Sequence, residues 1–340
     1  MSAGQQQYID RESVETLDER LFGDRIIGFL YSKAREQEPG LLRTATSRRA
    51  TELLGLANFD SPLAASLLGN KQFLKRCGVD VAECVDSPLS FTTPRQLFER
   101  RIRYWETRPM EDEPGAVVSP ADARVVLGSF SQASGLYAKG KFFDYAELLG
   151  ESKAIWLDAF GRGDFAVFRL TPDKYHYNHA PAAGRVVDFY ELKGRYHSCN
   201  PCAVVEIATP YSKNKRTVTV IDTDVDEGTR VGLIAMVEVT ALMIGDIVQC
   251  YSEERYDSPH AVDAGMFLNK GLPKSLYRPG SSTDILIFQA GRVEFADDLL
   301  QNQRHASARS RFSLGFGQPL VETDVRGRSS VARGAARTSK

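Results

Sequence analysis

The apolar positions of this chain fall into two regimes. In the first hundred residues they recur at helical spacing. Val14, Leu17, Leu21, Ile26, Phe29, Leu30 and Ala34 follow one another at roughly 3.6 residues per turn, so a helix is expected there. A second helix is expected to open at Thr93-Pro94-Arg95-Gln96. Thr93 can cap the first turn, Pro94 suits the first helical position, and Gln96 sits where a reciprocal cap belongs. Its continuation, QLFERRIRYWETR, puts Phe98, Ile102 and Trp105 on one stripe. Arg95, Arg100, Arg101, Arg103 and Arg108 form a basic remainder. Basic residues interleaved with Phe, Tyr and Trp suit a helix lying on a membrane surface. The same pattern also describes a helix docked on a core with a solvated arginine face.

From Val117 the pattern turns to short β-rich segments: ARVVLGSF, DFAVFRL, GRVVDFY, CAVVEIA, RTVTVIDT, RVGLIAMVEVTAL and TDILIFQAG. Gly, Pro, Asp or Asn separates most of them. No regular helices of about 10–15 residues intervene, which disfavours a parallel βαβ sheet and favours antiparallel pairing. The most apolar run, Val231–Val248, carries Glu238 near its centre and Asp246 near its end. Charges there argue against a membrane span. Two buried strands with a turn near Gly245 are expected instead. The expected fold class is α+β: a mainly antiparallel, β-rich core preceded by an N-terminal helical region. The expected divisions are 1–110 (helical), 111–300 (core) and 301–340 (tail).

Composition narrows the function. At 340 residues, 42% hydrophobic and 26% charged, the chain can bury a sizeable core, and disorder is excluded as its main state. Lys and Arg number 43 against 44 Asp and Glu, so no nucleic-acid partner is expected. Five cysteines, an odd number, point to a reducing compartment. The first residues show no basic stretch leading into an apolar one, so no signal peptide is expected. A soluble protein or one bound at a membrane surface fits. The tail from Gln301 holds eight basic residues against Glu322 and Asp324, and its last fifteen residues are expected to be disordered. Such a tail could touch anionic lipid head groups or simply solubilise the chain.

Several chemistries are absent by motif. There is no GxxxxGK[ST], no GxGxxG after a strand, no HExxH and no GxSxG. Cys199 and Cys202 form a lone CxxC without a second pair, so no metal site is expected; small buried thiols fit better. Three other pieces can carry chemistry. His176 and His179 stand three apart in PDKYHYNHAP, and histidine is the side chain best able to move protons near neutral pH. Two loop histidines with structural hydrogen bonds would look the same. Ser119-Pro-Ala-Asp122 reads as a turn, or as a carboxylate that orients a histidine. Pro279-Gly280-Ser281-Ser282-Thr283 reads as a polar turn feeding a strand, or as a self-cleavage site. In the second case a serine hydroxyl attacks the preceding carbonyl and the amide shifts to an ester. β-Elimination then cuts the chain, and the dehydroalanine left behind hydrolyses to a pyruvoyl group and ammonia. Glycine before the serine helps, because it admits unusual φ/ψ and leaves the carbonyl unhindered.

These three pieces occur in an order that resembles the phosphatidylserine decarboxylase family of pyruvoyl-dependent enzymes. The matching stretches are VVSPADARV (Val117–Val125), KGKFFDYAELLG (Lys139–Gly150), FRLTPDKYHYNHAPAAGRV (Phe168–Val186), YHSCNP (Tyr196–Pro201), NKRTVTVIDT (Asn214–Thr223) and PGSSTDILIFQAGRVEF (Pro279–Phe295). FERRIRYWETRPM (Phe98–Met110) is also similar to the family's first helix. The likeness spans about residues 95–300.

The resemblance implies a core that cleaves itself, with Asp122, His179 and a serine as the processing triad. His179 would be the base and Asp122 its orienting partner. His176 would stand beside the pyruvoyl cofactor and assist decarboxylation or proton return. Counting back from Phe288 without a gap places the family serine on Ser282. Counting by residue type makes Gly280–Ser281 the scissile bond, and sterics favour this register. The cleaved β and α chains would stay together as a heterodimer that is itself expected to form a homo-oligomer. The substrate amine would join the ketone as a Schiff base, and phosphatidylserine would leave as phosphatidylethanolamine. The expected location is the cytoplasmic face of a membrane, held peripherally. A pyruvoyl decarboxylase of a soluble amino acid, or a non-processing lipid-binding relative, are the alternatives.

Overall fold

A computed structural model describes residues 5–19, 21, 40, 44–47, 49, 79–131, 143–206, 209–242, 246–279 and 282–336. Among them the chain forms sixteen strands. The first eight are β1 (Gln7–Asp10), β2 (Thr16–Asp18), β3 (Ala116–Val118), β4 (Ala123–Ser129), β5 (Asp164–Leu170), β6 (Tyr177–His179), β7 (Gly184–Leu192) and β8 (Arg216–Asp222). The others are β9 (Leu233–Thr240), β10 (Ile247–Gln249), β11 (Phe267–Leu268), β12 (Pro273–Tyr277), β13 (Ser282–Phe288), β14 (Val293–Phe295), β15 (Glu322–Val325) and β16 (Ser330–Gly334).

Ten strands make one sheet in the order β11-β7-β8-β9-β13-β5-β4-β15-β1-β2. Its pairings are antiparallel except β1 with β15. This bears out the α+β reading and its antiparallel core. β13 is central. All seven of its residues pair on both sides, from Ser282 against Thr240 and Leu170 to Phe288 against Ile234 and Asp164. Because side chains alternate, Ile285 and Ile287 face one apolar cluster while Leu286 and Phe288 face another. Both faces are covered, which is why DILIF reads as an almost continuous apolar run. Leu148, Phe160, Val204, Tyr211 and Phe312, all from short helices, cover the first face. The second face packs on the three-stranded sheets β10-β12-β6 and β14-β16-β3 through Ile247, Tyr277, Val293 and Val117.

The apolar run Val231–Val248 contributes β9 and β10, as its two-strand reading requires, while residues 243–245 at the turn lie outside those described. Other expectations are corrected. Val14 sits in a turn with φ 59°, 70% exposed, and Leu17 lies in β2, so no helix begins at Val14. Ile26, Phe29, Leu30 and Ala34 lie outside the described residues. The single helix expected from Thr93 is two short ones, α1 (Pro94–Phe98) and α2 (Tyr104–Thr107). The capping box of Thr93 and Gln96 forms as expected. Past Glu99, however, the backbone pairs sideways: Val85 N–H donates to the Arg101 carbonyl at 2.9 Å, and Arg103 N–H to the Glu83 carbonyl at 2.8 Å. These bonds compete with helix continuation and bury Ile102. Part of the tail's last fifteen residues is ordered: Ser330–Gly334 is β16, paired with β3 and β14, while residues 337–340 lie outside those described.

Candidate active site

The two histidines sit around the short strand β6. β6 pairs with β12, and just beyond it Ala180 N–H donates to the Leu272 carbonyl at 2.9 Å. His179 is 1% exposed. Its Nδ1 lies 2.8 Å from the Gly271 carbonyl oxygen and its Nε2 lies 3.1 Å from the Tyr175 hydroxyl. A carbonyl can only accept, so Nδ1 carries the hydrogen and Nε2 holds the lone pair. Gly271 allows this approach: it has φ 76°, and a Cβ there would lie 2.5 Å from Met110 Sδ. The Tyr104 ring stands edge-on to the His179 ring, 4.8 Å between centroids. Burial pulls the His179 pKa down to about 4, against the favourable Gly271 contact.

His176 is fully buried and stacks on Phe98 of α1 at 3.6 Å between centroids. Neither ring nitrogen makes a hydrogen bond of good geometry, although the Lys174 backbone is close enough to favour the charged ring. Burial, then the Arg100 guanidinium, push its pKa well below the usual value, so the ring is neutral. A buried imidazole with two unmatched nitrogens carries a desolvation cost of about 1–3 kcal/mol per group. That cost is removed once a ligand atom meets it. Asn178 Oδ1 and Ser282 Oγ are likewise buried without partners.

Tyr277 ties the histidine segment to the start of β13. Its N–H donates to the His176 carbonyl at 3.0 Å, and its hydroxyl lies 2.9 Å from the Thr283 carbonyl and 2.7 Å from Asp284 Oδ1. Ser282, the first residue of β13, is 1% exposed and shares a strand face with Asp284 by alternation. Gly280 and Ser281 lie outside the described residues.

Asp122 is placed differently from the triad expectation. Its two carboxylate oxygens accept from Arg108 Nε and Nη2 at 2.8 and 2.7 Å, and Oδ1 also accepts from Gly327 N–H at 2.7 Å. No described hydrogen bond joins it to His179. The two segments still meet, since His179 N–H donates to the Pro120 carbonyl at 2.7 Å. Burial would raise the Asp122 pKa, but the Arg108 fork outweighs it and holds the carboxyl at about 2. Asp122 is thus a fixed negative charge that favours a protonated His179 through space. Asp122, Arg108 and Lys174 line an open cleft of about 670 Å³.

A second polar cluster was not singled out by the sequence. Glu238 stands opposite Asp284 across β9 and β13. Its carboxylate accepts from Lys274 Nζ at 2.7 Å, Gln249 Nε2 at 3.2 Å, Asn178 Nδ2 at 3.3 Å and the Ser275 hydroxyl. Glu238 and Lys274 are both fully buried. Asp284 is also fully buried; burial first and Glu238 second push its pKa well above the carboxylate range. The available signal was a lone Glu238 inside an apolar run, which requires a buried partner. Cys199 is a buried thiol, and Cys202 is half-buried.

The family model described as phosphatidylserine decarboxylase matches residues 95–315. The phosphatidylserine decarboxylase proenzyme of Bordetella petrii is 34% identical over 239 residues, covering 66% of this chain and 79% of that protein. The proenzyme of Azotobacter vinelandii is 30% identical over 240 residues, covering 67% and 81% respectively. That of Ruminiclostridium cellulolyticum is 25% identical over 299 residues, covering 88% and 92%. Asp122, His176 and His179 all fall inside the residues that the family model matches, and the chain belongs to the phosphatidylserine decarboxylase family.

Proposed function

We propose that this chain is the precursor of a carboxy-lyase that cuts itself beside Ser281 or Ser282, acquires a pyruvoyl group and decarboxylates phosphatidylserine. The observation that carries the reading is the buried, unpartnered set of His176, Asn178 Oδ1 and Ser282 Oγ around the Tyr277 tether. Polar atoms left bare in a core call for a ligand: the neutral His176 ring can donate its N–H to a ketone oxygen, while Asn178 Oδ1 can only accept and suits the substrate's amine. When present, the pyruvoyl group supplies an electron sink for the departing carboxylate.

The chain's own residues divide the remaining work. His179 takes the proton of the attacking serine on Nε2, the ring nitrogen that holds the lone pair, once the Tyr175 hydroxyl turns away from it. Asp122 stabilises the resulting positive ring by its fixed charge. His176, neutral and unpartnered, accepts or returns a proton at the substrate carbon. Phe98 and Tyr104 cover the two rings and keep bulk water away.

The membrane reading rests on the aromatic and basic residues of α1 and α2. No helix among the described residues is long and apolar enough to cross a membrane. Arg95 pairs with Glu99, Arg101 with Asp86, Arg103 with Glu106 and Arg108 with Glu83 and Asp122, so little of this charge is left for lipid. Trp105 and the exposed Leu89 remain for peripheral contact at a cytoplasmic membrane face. Co-sedimentation with phosphatidylserine vesicles tests this part; protein left wholly in the supernatant refutes it.

Intact-mass spectrometry of the purified protein tests the main reading. Two chains are expected, the shorter beginning at residue 281 or 282 and lighter than its serine form by one ammonia. A single uncut chain with decarboxylase activity would sink the reading.

A further inference from the structure

Beyond His179 the buried hydroxyls continue. The Tyr175 hydroxyl, 3.1 Å from His179 Nε2, also lies 2.7 Å from the Tyr256 hydroxyl. Tyr256 in turn lies 2.8 Å from the Ile102 carbonyl and 3.2 Å from the Ile102 N–H. Tyr175 is fully buried, whereas Tyr256 is half-buried. The array therefore runs from the buried ring of His179 to a tyrosine that is itself only half-buried.

Hydrogen counting gives this array two wirings on the same heavy atoms. With His179 neutral, Tyr256 donates to Tyr175, and Tyr175 donates to Nε2. The Ile102 carbonyl keeps a donor, because Tyr104 N–H reaches it at 2.8 Å. In the other wiring both hydroxyls rotate: Tyr175 donates to Tyr256, and Tyr256 donates to the Ile102 carbonyl. Nε2 then faces the Tyr175 oxygen, which can only accept from it. That second arrangement suits an imidazolium, with Nδ1–H on Gly271 and Nε2–H on Tyr175. The two arrangements differ by one proton and two hydroxyl rotations.

The Tyr256 ring is held for this task. Tyr104 and Tyr177 meet it edge-on at 5.5 and 5.0 Å, and Trp105 at 6.4 Å. Its turn is strained: Arg255 and Ser258 take φ of 63° and 48°, unusual for residues with a Cβ. The charged groups bearing on His179 are Arg328 and Arg108, which oppose its protonation, and Asp122, which favours it. Two cations against one anion leave a buried imidazolium short of support, and the tyrosine oxygen supplies it.

We propose that Tyr175 and Tyr256 are positioning residues for chain cleavage, forming a relay that steadies protonated His179 and exchanges its proton with solvent at Tyr256. A proton leaving Nε2 passes to the Tyr175 oxygen as Tyr175 gives its own to Tyr256 and Tyr256 releases one to water. Each oxygen ends with one hydrogen and His179 ends neutral. The proposal rests on the reading of His179 as the processing base.

The test is the rate of self-cleavage of the full-length precursor, made by cell-free translation in H₂O, D₂O and mixtures. Tyr256→Phe keeps the ring packing and removes the last link. It is expected to slow cleavage by at least about tenfold and to turn a curved proton inventory into a linear, single-proton one. Tyr175→Phe should do the same with a larger rate loss. Unchanged rate and inventory in Tyr256→Phe, beside an inert His179→Ala, overturn the relay alone. Cleavage by His179→Ala overturns the reading beneath it. Should Tyr175→Phe fail to fold, Tyr256→Phe decides the matter.

Discussion

Asp122 is gripped by Arg108, whose Nε and Nη2 reach both carboxylate oxygens at 2.8 and 2.7 Å. Arg108 follows α2 directly, so the segment that covers the histidines also fixes the carboxylate beside them. Nη1 and Nη2 of the same guanidinium hold Glu83 at 3.0 and 2.9 Å. One side chain thus connects the 81–83 turn, the α2 segment and the start of β4.

Arg108→Ala should therefore destabilise the fold by about 3–5 kcal/mol near neutral pH, because it strands a buried carboxylate. Acid should narrow the gap. A carboxyl held at about 2 in the folded protein lends stability above its unfolded value of about 3.9, and loses it as pH falls toward 2. Urea unfolding at stepped pH values reads this: the wild-type curve should fall through that window while the variant, whose Asp122 is no longer held low, falls less. Parallel curves would show that Arg108 does not set the Asp122 charge.

Substitutions at the candidate site should separate cleavage from turnover. Either Ser281→Ala or Ser282→Ala should block cutting, and the other should not. His179→Ala should leave the precursor whole. His176→Ala should still be cut yet lose decarboxylation by roughly 10²–10⁴-fold, the range for a lost proton-transfer group. Denaturing gels report the first three and CO₂ release the last. Full turnover by His176→Ala would remove that ring from the chemistry.

The sequence made much of this arrangement legible, and physical reasons mark where it did not. Six of the seven short β-rich runs are strands, so the core was visible; CAVVEIA is the exception, because Pro201–Glu206 is a helix that buries Ala203 and Val204. The capping box at Thr93 was visible too. The helix break after Glu99 was not, because it depends on backbone bonds to residues 83–85, supplied from outside the local pattern. Nor was the order at Ser330–Gly334, an Arg- and Ser-containing stretch that is a strand only because β3 and β14 flank it. His176, His179 and Asp122 stand out by spacing and order as candidates. Their partners Tyr175, Gly271 and Arg108 were not, since hydrogen-bond geometry leaves no periodic trace.

The Glu238–Lys274 pair offers a direct energetic test. Lys274→Met should cost about 3–5 kcal/mol, because it leaves a buried carboxylate beside Asp284. Adding Glu238→Leu should recover part of that loss, leaving the Ser275 and Asn178 donors as the residual deficit. A double-mutant cycle by chemical denaturation measures the coupling. Additive single effects would mean that the two charges do not depend on each other.

Cleavage ahead of β13 should not release the shorter chain. Ile285, Leu286, Ile287 and Phe288 are fully buried, at about 1.5–3 kcal/mol each, and β13 keeps β9 and β5 on either side. Farther along, β15 lies between β4 and β1, and β16 between β14 and β3. The segment after Ser281 is thus threaded into the preceding one at three places, two of them in the large sheet. Both fragments should co-elute on gel filtration in native buffer at any practical dilution and part only in denaturant. A short fragment that elutes alone under native conditions would mean that β13 leaves the sheet once cut.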